Sequence, residues 1–385
     1  MPGILKLNEI SSVINGALPK NYTTSTDCAN PDAIMLRSFN MHEYVLPDSV
    51  LCVGRAGAGV NNIPVDKCTE KGVVVFNTPG ANANAVKELV ICALNLGSRK
   101  IVEGIEWTMS LKDRADAAAQ VEKGKNRFTG QELFGKKIGI VGLGAIGSLV
   151  ANACVDLGMT VYGYDPFISI DAAWGLNQNV IREIDINNIY AQCDYISLHV
   201  PLVADTKHLL NAETLALCKP TTVIINCSRG ELVDNEAIKK ALTENSLGKY
   251  ITDFPCGDII GFPNIVCIPH LGASTPEAED NCARMAVRQI VDYIDNGNIN
   301  NSVNFPPCAI RRRGKKRLTV MHKNVRNVLN YVTELIGNDG VNISNMLSQA
   351  QDDYAYAILD IDDNLDPDTL NKIRGYKDVV RIRIL

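Results

Sequence analysis

Short apolar runs recur along this chain, each closed by a turn former or a polar residue, with longer segments of mixed polarity between them. In the N-terminal part the runs are Ile4-Leu-Lys-Leu7, Ala33-Ile-Met-Leu36, Val50-Leu-Cys-Val53 and Val73-Val-Val-Phe76. A second series comprises Thr160-Val-Tyr-Gly-Tyr-Asp165, Tyr195-Ile-Ser-Leu-His-Val200, Thr222-Val-Ile-Ile-Asn-Cys227, Tyr250-Ile-Thr-Asp-Phe254 and Ile265-Val-Cys-Ile268. Such runs, at this spacing, predict strands of parallel sheets alternating with helices, so the fold class is α/β. The first series predicts a smaller unit and the second a larger one. From Leu318 the rhythm changes. Strands at 318–321, 341–350, 354–361 and 379–384, with helices at 325–336 and 366–373, predict a βαββαβ module.

The run from Lys136 leads into Gly142-Leu-Gly144-Ala-Ile-Gly147, followed by a helix-like stretch through Leu157. This is G-x-G-x-x-G between a strand and a helix, the context the motif requires. The first glycine permits a tight turn, the second lets backbone approach a pyrophosphate, and the third lets helix and strand pack closely. Asp165 ends the next strand, eighteen residues after Gly147, where its carboxylate can accept from ribose hydroxyls and repel a 2′-phosphate. The larger unit therefore reads as a Rossmann-type domain for NAD rather than NADP. In an open parallel sheet the ligand lies at the carboxyl ends of the strands, which places His199, Pro201, Cys227, Asp253 and His270 along one crevice.

Hydride transfer from a 2-hydroxy acid needs a cation for the carboxylate, a base for the hydroxyl proton, and a group that orients the base. Arg229, in Asn226-Cys-Ser-Arg-Gly230, supplies a planar fork for a carboxylate. His270, in Pro269-His-Leu-Gly-Ala-Ser-Thr275, suits the base, and Asp258 suits the orienting acid. Arg55 ends a strand and is followed by Gly57 and Gly59, which let backbone amides approach an anion. Lys87, at a probable helix start, stands equally as an anion ligand or an ordinary surface lysine. Gly124-Lys-Asn-Arg127 adds local positive charge.

Across nearly its whole length the chain resembles the D-isomer-specific 2-hydroxyacid dehydrogenases. The resemblance rests on Gly54-Arg-Ala-Gly-Ala-Gly-Val-Asn-Asn62, Asn77-Thr-Pro79, the dinucleotide loop, His199-Val-Pro201, Asn226-Cys-Ser-Arg-Gly230, Thr252-Asp-Phe254 and Pro269-His-Leu-Gly-Ala-Ser-Thr275. It implies NAD-dependent oxidation of a small phosphorylated 2-hydroxy acid to its 2-keto acid, with Arg229, Asp258 and His270 catalytic. It implies cofactor contacts from Gly142, Gly144, Ala145, Ile146, Gly147, Asp165, His199, Pro201, Cys227, Ser228, Asp253 and Gly272. Substrate contacts are implied for Arg55, Ala56, Gly57 and Lys87. It also implies a NAD-binding domain (96–285) inserted in a smaller, flavodoxin-like substrate domain (1–95 and 286–303), to which the helix after Thr275 returns. The family usually carries glutamate where this chain has Asp258. One methylene less requires a closer loop or a weaker, water-mediated link to His270, so activity is expected to survive with a less elevated imidazole pKa. Relatives acting on 2-hydroxyglutarate, hydroxypyruvate or glyoxylate, and a binding protein gated by NAD without turnover, are the alternatives.

Residues 317–385 resemble an ACT domain, an amino-acid-sensing module that pairs edge to edge between subunits. His322, Asn324 and Asn342 match its serine-binding positions, whereas Asn327 replaces a common glycine. Serine sensing and a purely structural dimerisation role stand nearly level. Before the module, Asn304-Phe-Pro-Pro-Cys-Ala-Ile310 breaks regular structure, and Arg311-Arg-Arg-Gly-Lys-Lys-Arg317 carries six positive charges. A nucleic-acid or membrane footprint is one reading of this run. The absence of interleaved aromatics and the net charge of −5 favour a solvated linker over 304–316 facing acidic surface.

Composition narrows the class. A chain of 385 residues with 46% hydrophobic and 21% charged residues suits a soluble enzyme of two or three domains. Neither a secretory signal nor an apolar stretch of membrane-spanning length is present, so the cytoplasm is the expected location. Twelve cysteines, scattered and without a C-x-x-C pair, fit reduced thiols and form no metal-ligand spacing. Cys227 and Cys256, close in sequence to candidate site residues, are expected to be sensitive to oxidation, and nothing in their spacing makes them ligands or nucleophiles. A homodimer or homotetramer is expected from the resemblance.

Overall fold

Strands form where the apolar runs predict them, because β-branched and aliphatic residues buried on both faces suit a covered parallel sheet. The computed structural model describes residues 1–385. The first sheet contains β1 (Gly3–Lys6), β2 (Thr23–Ser25), β3 (Ala33–Leu36), β4 (Cys52–Arg55) and β5 (Val74–Phe76), in the order β2-β1-β3-β4-β5 and parallel throughout. The second contains β6 (Lys137–Val141), β7 (Thr160–Tyr164), β8 (Ile181–Arg182), β9 (Tyr195–Leu198), β10 (Val223–Asn226), β11 (Lys249–Thr252) and β12 (Ile265–Cys267). Its order is β12-β11-β10-β9-β6-β7-β8, so the chain reverses direction beside β6, between β6 and β9. That switch point opens a crevice at the carboxyl ends of the strands.

The third sheet holds β13 (Lys316–Lys323), β14 (Ile343–Gln351), β15 (Tyr354–Ile361) and β16 (Val379–Ile384), antiparallel in the order β14-β15-β13-β16. Helices Val328–Asn338 and Pro367–Arg374 complete the βαββαβ order. They cover one face of the sheet, with Val332, Ile336 and Ile373 in a core shared with Leu318, Val320 and Leu359.

The chain divides into two units, Met1–Ala81 with Glu279–Leu385, and Asn82–Ala278. Both boundaries fall earlier than the sequence pattern places them. The Ala83–Ser98 helix belongs to the second unit because Val86, Val90, Ala93 and Leu94 share a core with Ile138, Ile140 and Val150. The Pro276–Asn296 helix contributes Ala283, Ala286, Ile290 and Tyr293 to the first unit's core, beside Ile4, Met35, Val74 and Phe76.

That same core takes in Met321, Tyr356 and Ile358, so the C-terminal sheet packs on the first unit instead of hanging from a linker. Phe305 and Cys308, within the expected linker, are buried in it as well. Of the basic run, Arg311, Arg313 and Lys315 are exposed, and only its last residue departs from a solvated reading. Arg317 is fully buried and pairs with Asp360, with Nε 2.7 Å from Oδ1 and Nη2 3.1 Å from Oδ2. Its Nη1 donates to the carbonyls of Asn296 (2.7 Å) and Ile310 (3.2 Å). Arg383 donates to the carbonyls of Tyr293 (2.9 Å) and Ile294 (2.6 Å), and Arg381 to those of Val50 (2.6 Å) and Asp48 (3.1 Å). Arginines at the last carbonyls of the Pro276–Asn296 helix add donors where the intrahelical hydrogen bonds run out and meet the negative end of its dipole. Both faces of β13 are buried, Leu318 and Val320 under the helices and Met321 in the first unit's core, and Arg317 lies on the Met321 side with a carboxylate to receive it.

Candidate active site

The dinucleotide loop grows from β6. Gly142 adopts φ +93° and donates its N–H to the Tyr164 carbonyl at 2.8 Å. A side chain there is strained, and its Cβ would lie 2.7 Å from the His199 carbonyl group. A Cβ on Gly147 would collide with the Gly142 carbonyl oxygen, so the Ala145–Asp156 helix packs against the turn at backbone distance. Gly144 differs. A Cβ there meets nothing within 4 Å, and no side chain caps the helix that follows. The first-turn amides of Ala145, Ile146 and Gly147 are thus left as donors at the positive end of a helix, with open space before them. Asp165 braces the rim by accepting from the Leu143 N–H with one oxygen and the Phe167 N–H with the other, both at 2.8 Å. Each oxygen keeps a lone pair for a ribose hydroxyl. The residues present fit a dinucleotide.

His199 lies under this loop. Its N–H reaches the Val141 carbonyl at 2.7 Å and its Nε2 is 2.8 Å from Ser197 Oγ, while Nδ1 is buried without a partner. Burial pushes its pKa down to about 4, so the ring is neutral near pH 7. Pro201 is exposed beyond it. Cys227 is buried after β10, and burial pushes its thiol up to about 12, which removes it as a nucleophile. Ser228 donates its hydroxyl to the Leu198 carbonyl at 2.6 Å, tying the ends of two strands together.

Arg229 is held by its backbone and exposed at its tip. Asn226, fully buried, donates Nδ2 to the Arg229 carbonyl at 2.7 Å. The guanidinium is exposed, donates Nη1 to the Ser228 carbonyl at 2.7 Å, and has no carboxylate partner. Asp253 is 1% exposed and accepts from the N–H groups of Leu271 and Gly272, each at 2.7 Å. Burial raises its pKa, against the pull of those two amides and of nearby His270. Asp253 therefore braces the loop that carries His270. His270 itself sits at φ +55° with its ring against Phe254, centroids 4.7 Å apart.

The structure does not bring Asp258 and His270 together, and no hydrogen bond or ion pair joins them. Asp258 Oδ1 accepts from the Cys256 thiol at 2.8 Å, and Oδ2 lies 3.7 Å from Lys239 Nζ. The Cys256 hydrogen bond and, less strongly, Lys239 hold the carboxyl below its ordinary range. The carboxyl that His270 pulls down is that of Asp253.

The other candidates divide between the two units. In the first, Arg55 ends β4 and donates Nε to the Arg37 carbonyl at 3.2 Å, and a Cβ on Gly57 would lie 2.5 Å from Arg55 Nη1. Gly57 is thus backbone against which that guanidinium rests, while Ala56 is buried beside it in sequence. Arg37, which the pattern does not single out, pairs with Glu279. In the second unit, Lys87 lies 3.7 Å from Glu88 on the Ala83–Ser98 helix.

In the C-terminal module, His322 and Asn324 line a cavity of about 280 Å³ together with Asn327, Asn330, Ser348 and Gln349. His322 Nδ1 is 2.7 Å from the Lys323 carbonyl, and Nε2 is buried without a partner. Burial lowers its pKa, so the neutral ring presents Nε2 as an acceptor. Asn327 has φ +71°, the left-handed region where glycine is most at ease and asparagine is tolerated. Its side chain lines the same cavity. Asn342 does not reach it and donates instead to Asp362 Oδ2 at 2.7 Å.

Comparison with known proteins gives the family. Residues 104–272 match the family model described as the D-isomer specific 2-hydroxyacid dehydrogenase, NAD binding domain. The D-3-phosphoglycerate dehydrogenase of Haemophilus influenzae is 31% identical over 351 residues, covering 87% of this chain and 81% of that protein. The chain belongs to the D-isomer specific 2-hydroxyacid dehydrogenase family. The protein of the same name from Methanocaldococcus jannaschii is 36% identical over 269 residues, covering 68% of this chain and 49% of that protein, so the chain spans about half the length of that relative. The NAD+-bound 3-phosphoglycerate dehydrogenase structure from Entamoeba histolytica superposes with a TM-score of 0.60 at 26% identity, covering 79% of this chain and 98% of that one.

Within this family frame, Asn226, Arg37, Lys239 and Cys256 are the residues whose roles the sequence reading missed. Asn226 carries a signal, a lone amide closing an otherwise apolar strand, which marks a strand end needing a polar brace. The other three carry none, since what matters is which partner each one meets. No helix is long and apolar enough to cross a membrane.

Proposed function

We propose that the chain is a NAD-dependent D-3-phosphoglycerate dehydrogenase, oxidising 3-phospho-D-glycerate to 3-phosphohydroxypyruvate at the head of phosphorylated serine synthesis in the cytoplasm. The observation that carries this is an exposed Arg229 without a carboxylate partner and a braced His270, both at strand ends, together with a helix N-terminus whose amides stand open. The names of the relatives supply the substrate. NAD, when bound, accepts the hydride from carbon 2. Arg229 donates hydrogen bonds to the substrate carboxylate and polarises the oxygen on carbon 2. His270 accepts the hydroxyl proton at its imidazole in oxidation and returns it in reduction, with Asp258 as its acid partner. Asp165 selects NAD over NADP, Asp253 serves the nicotinamide side, and Ser228, Pro201 and Gly272 contact the cofactor. Arg55, with Ala56, Gly57 and Lys87, takes the anionic end of the substrate.

The C-terminal module acts as an ACT-type effector domain in a homodimer or homotetramer. Its cavity, with an imidazole acceptor and several amides, suits a small polar amino acid such as L-serine. Asn342 reaches such a ligand only from a neighbouring subunit.

NADH oxidation against 3-phosphohydroxypyruvate, hydroxypyruvate, glyoxylate and 2-oxoglutarate tests the substrate. A preference of orders of magnitude for the phosphorylated acid, lost in Arg55→Gln, is the expected result. Equal use of an unphosphorylated acid keeps the dehydrogenase and removes this substrate.

A further inference from the structure

The carboxylate that the dyad requires is engaged elsewhere, and its partners are ordered. The Asn235–Thr243 helix starts at Asp234, whose side chain accepts from the Glu236 and Ala237 N–H groups, and it buries Ala237, Ile238, Ala241 and Leu242. Asn235 and Lys239, four residues apart, therefore share another face. Both hold the turn that follows Phe254. Asn235 Nδ2 donates to the Cys256 sulfur at 3.1 Å, the Cys256 thiol donates to Asp258, and Lys239 faces the other Asp258 oxygen. Lys239 has a side chain only 19% exposed, and Glu236, 2.5 Å away, shares its ammonium.

The turn is uncrowded at Gly257. A Cβ on Gly257 would meet nothing within 4 Å, and the chain leads back to Phe254, whose ring lies against His270. We propose that Lys239 and Cys256 are positioning residues that park Asp258 away from His270 and release it as the imidazole takes up its proton. This rests on the dyad reading above. A neutral imidazole offers the carboxylate less than a full ammonium does. Once His270 holds the hydroxyl proton, an imidazolium competes with Lys239 on equal charge. No covalent bond changes in the exchange, and the proton stays on His270. The charged groups that face the pair are Asp253 beside His270, and Glu236 and Lys239 around Asp258.

Ring titration of His270 by NMR in the full chain, assigned through His270→Gln, reads this without substrate. Lys239→Met is expected to raise the His270 midpoint by roughly half a pH unit or more, and to move the acid limb of kcat/KM for the hydroxy acid upward with it. Lys239→Arg is expected to restore both. An unmoved midpoint in Lys239→Met overturns the parking role. A midpoint that moves equally in the Asp258→Asn background also overturns it, because Lys239 would then act on His270 through its own charge. Asp258→Asn alone reads the dyad. An unchanged pH profile there removes the dyad itself, whereas a changed profile beside a silent Lys239→Met removes only the parking.

Discussion

Arg229 and Arg317 each lie in or beside a strand, yet they stand at opposite ends of what a folded chain does with a charge. Arg229 is exposed after β10, with one backbone carbonyl as partner for its tip. Arg317 is fully buried in β13, with a carboxylate and two carbonyls arranged around it. The crevice of the second unit spends its buried polar groups, Asn226 and Asp253, on holding backbone, and leaves the charged tips available. The seam of the C-terminal module does the reverse, using its charges to satisfy helix carbonyls. One arrangement suits a ligand that arrives and leaves, the other a joint that stays closed.

Breaking the crevice is expected to cost activity and little stability. Replacing His270 by glutamine is expected to lower kcat/KM by about 10²- to 10⁴-fold, checked by steady-state assays beside an unchanged thermal melt. A loss of melting temperature of the same order as in the seam variants would erase the contrast.

Breaking the seam is expected to do the opposite. Asp360→Ala strands a buried guanidinium, and denaturant melts are expected to show a loss of about 3–5 kcal/mol. The double change Arg317→Met with Asp360→Leu is expected to recover most of it. The pair also sets a pH dependence. Burial works to raise the Asp360 carboxyl, but the Arg317 hydrogen bonds and the Arg313 amide hold it below its ordinary value. A depressed carboxylate adds stability above the unfolded pKa of about 3.9 and loses it as pH falls through the lower folded value. Stability that fades below about pH 4 in the parent, and fades less in the double variant, is the expected result.

The cradle sharpens the contrast at smaller scale. A side chain at Gly144 stands in open space, so Gly144→Val is expected to keep the parent melt while weakening NAD by roughly 10- to 100-fold, about 1–3 kcal/mol of steric cost, read by calorimetry. The smallest effect concerns Asn327. Alanine at its left-handed φ is expected to cost about 1 kcal/mol, whereas glycine is expected to be neutral and to widen the cavity beside His322. A serine titration of Asn327→Gly then reports whether that cavity takes an effector.

Much of this architecture is legible in the chain. Lys136 to Gly147 carries strand, turn and helix in a single continuous stretch, and each glycine answers to a neighbour only a few residues away or to the next strand. Asp165 follows from the same spacing. Arg229 and His270 are found because a strand's carboxyl end has a fixed place in an open sheet. Arg317 is missed for a matching reason: the last cation of a basic run looks the same in water and in a seam until its partner is known.

Periodicity and local turn chemistry thus determined the α/β class, the dinucleotide loop, the βαββαβ module and the strand-end candidates, since each depends on residues close together in the chain. Partner choice belonged to the tertiary structure alone. Arg317 and Asp360 are 43 residues apart, and Lys239 and Asp258 meet only because one helix packs beside one turn. A charged side chain pairs with whichever opposite charge the fold brings within a few ångströms, and no spacing along the chain encodes that.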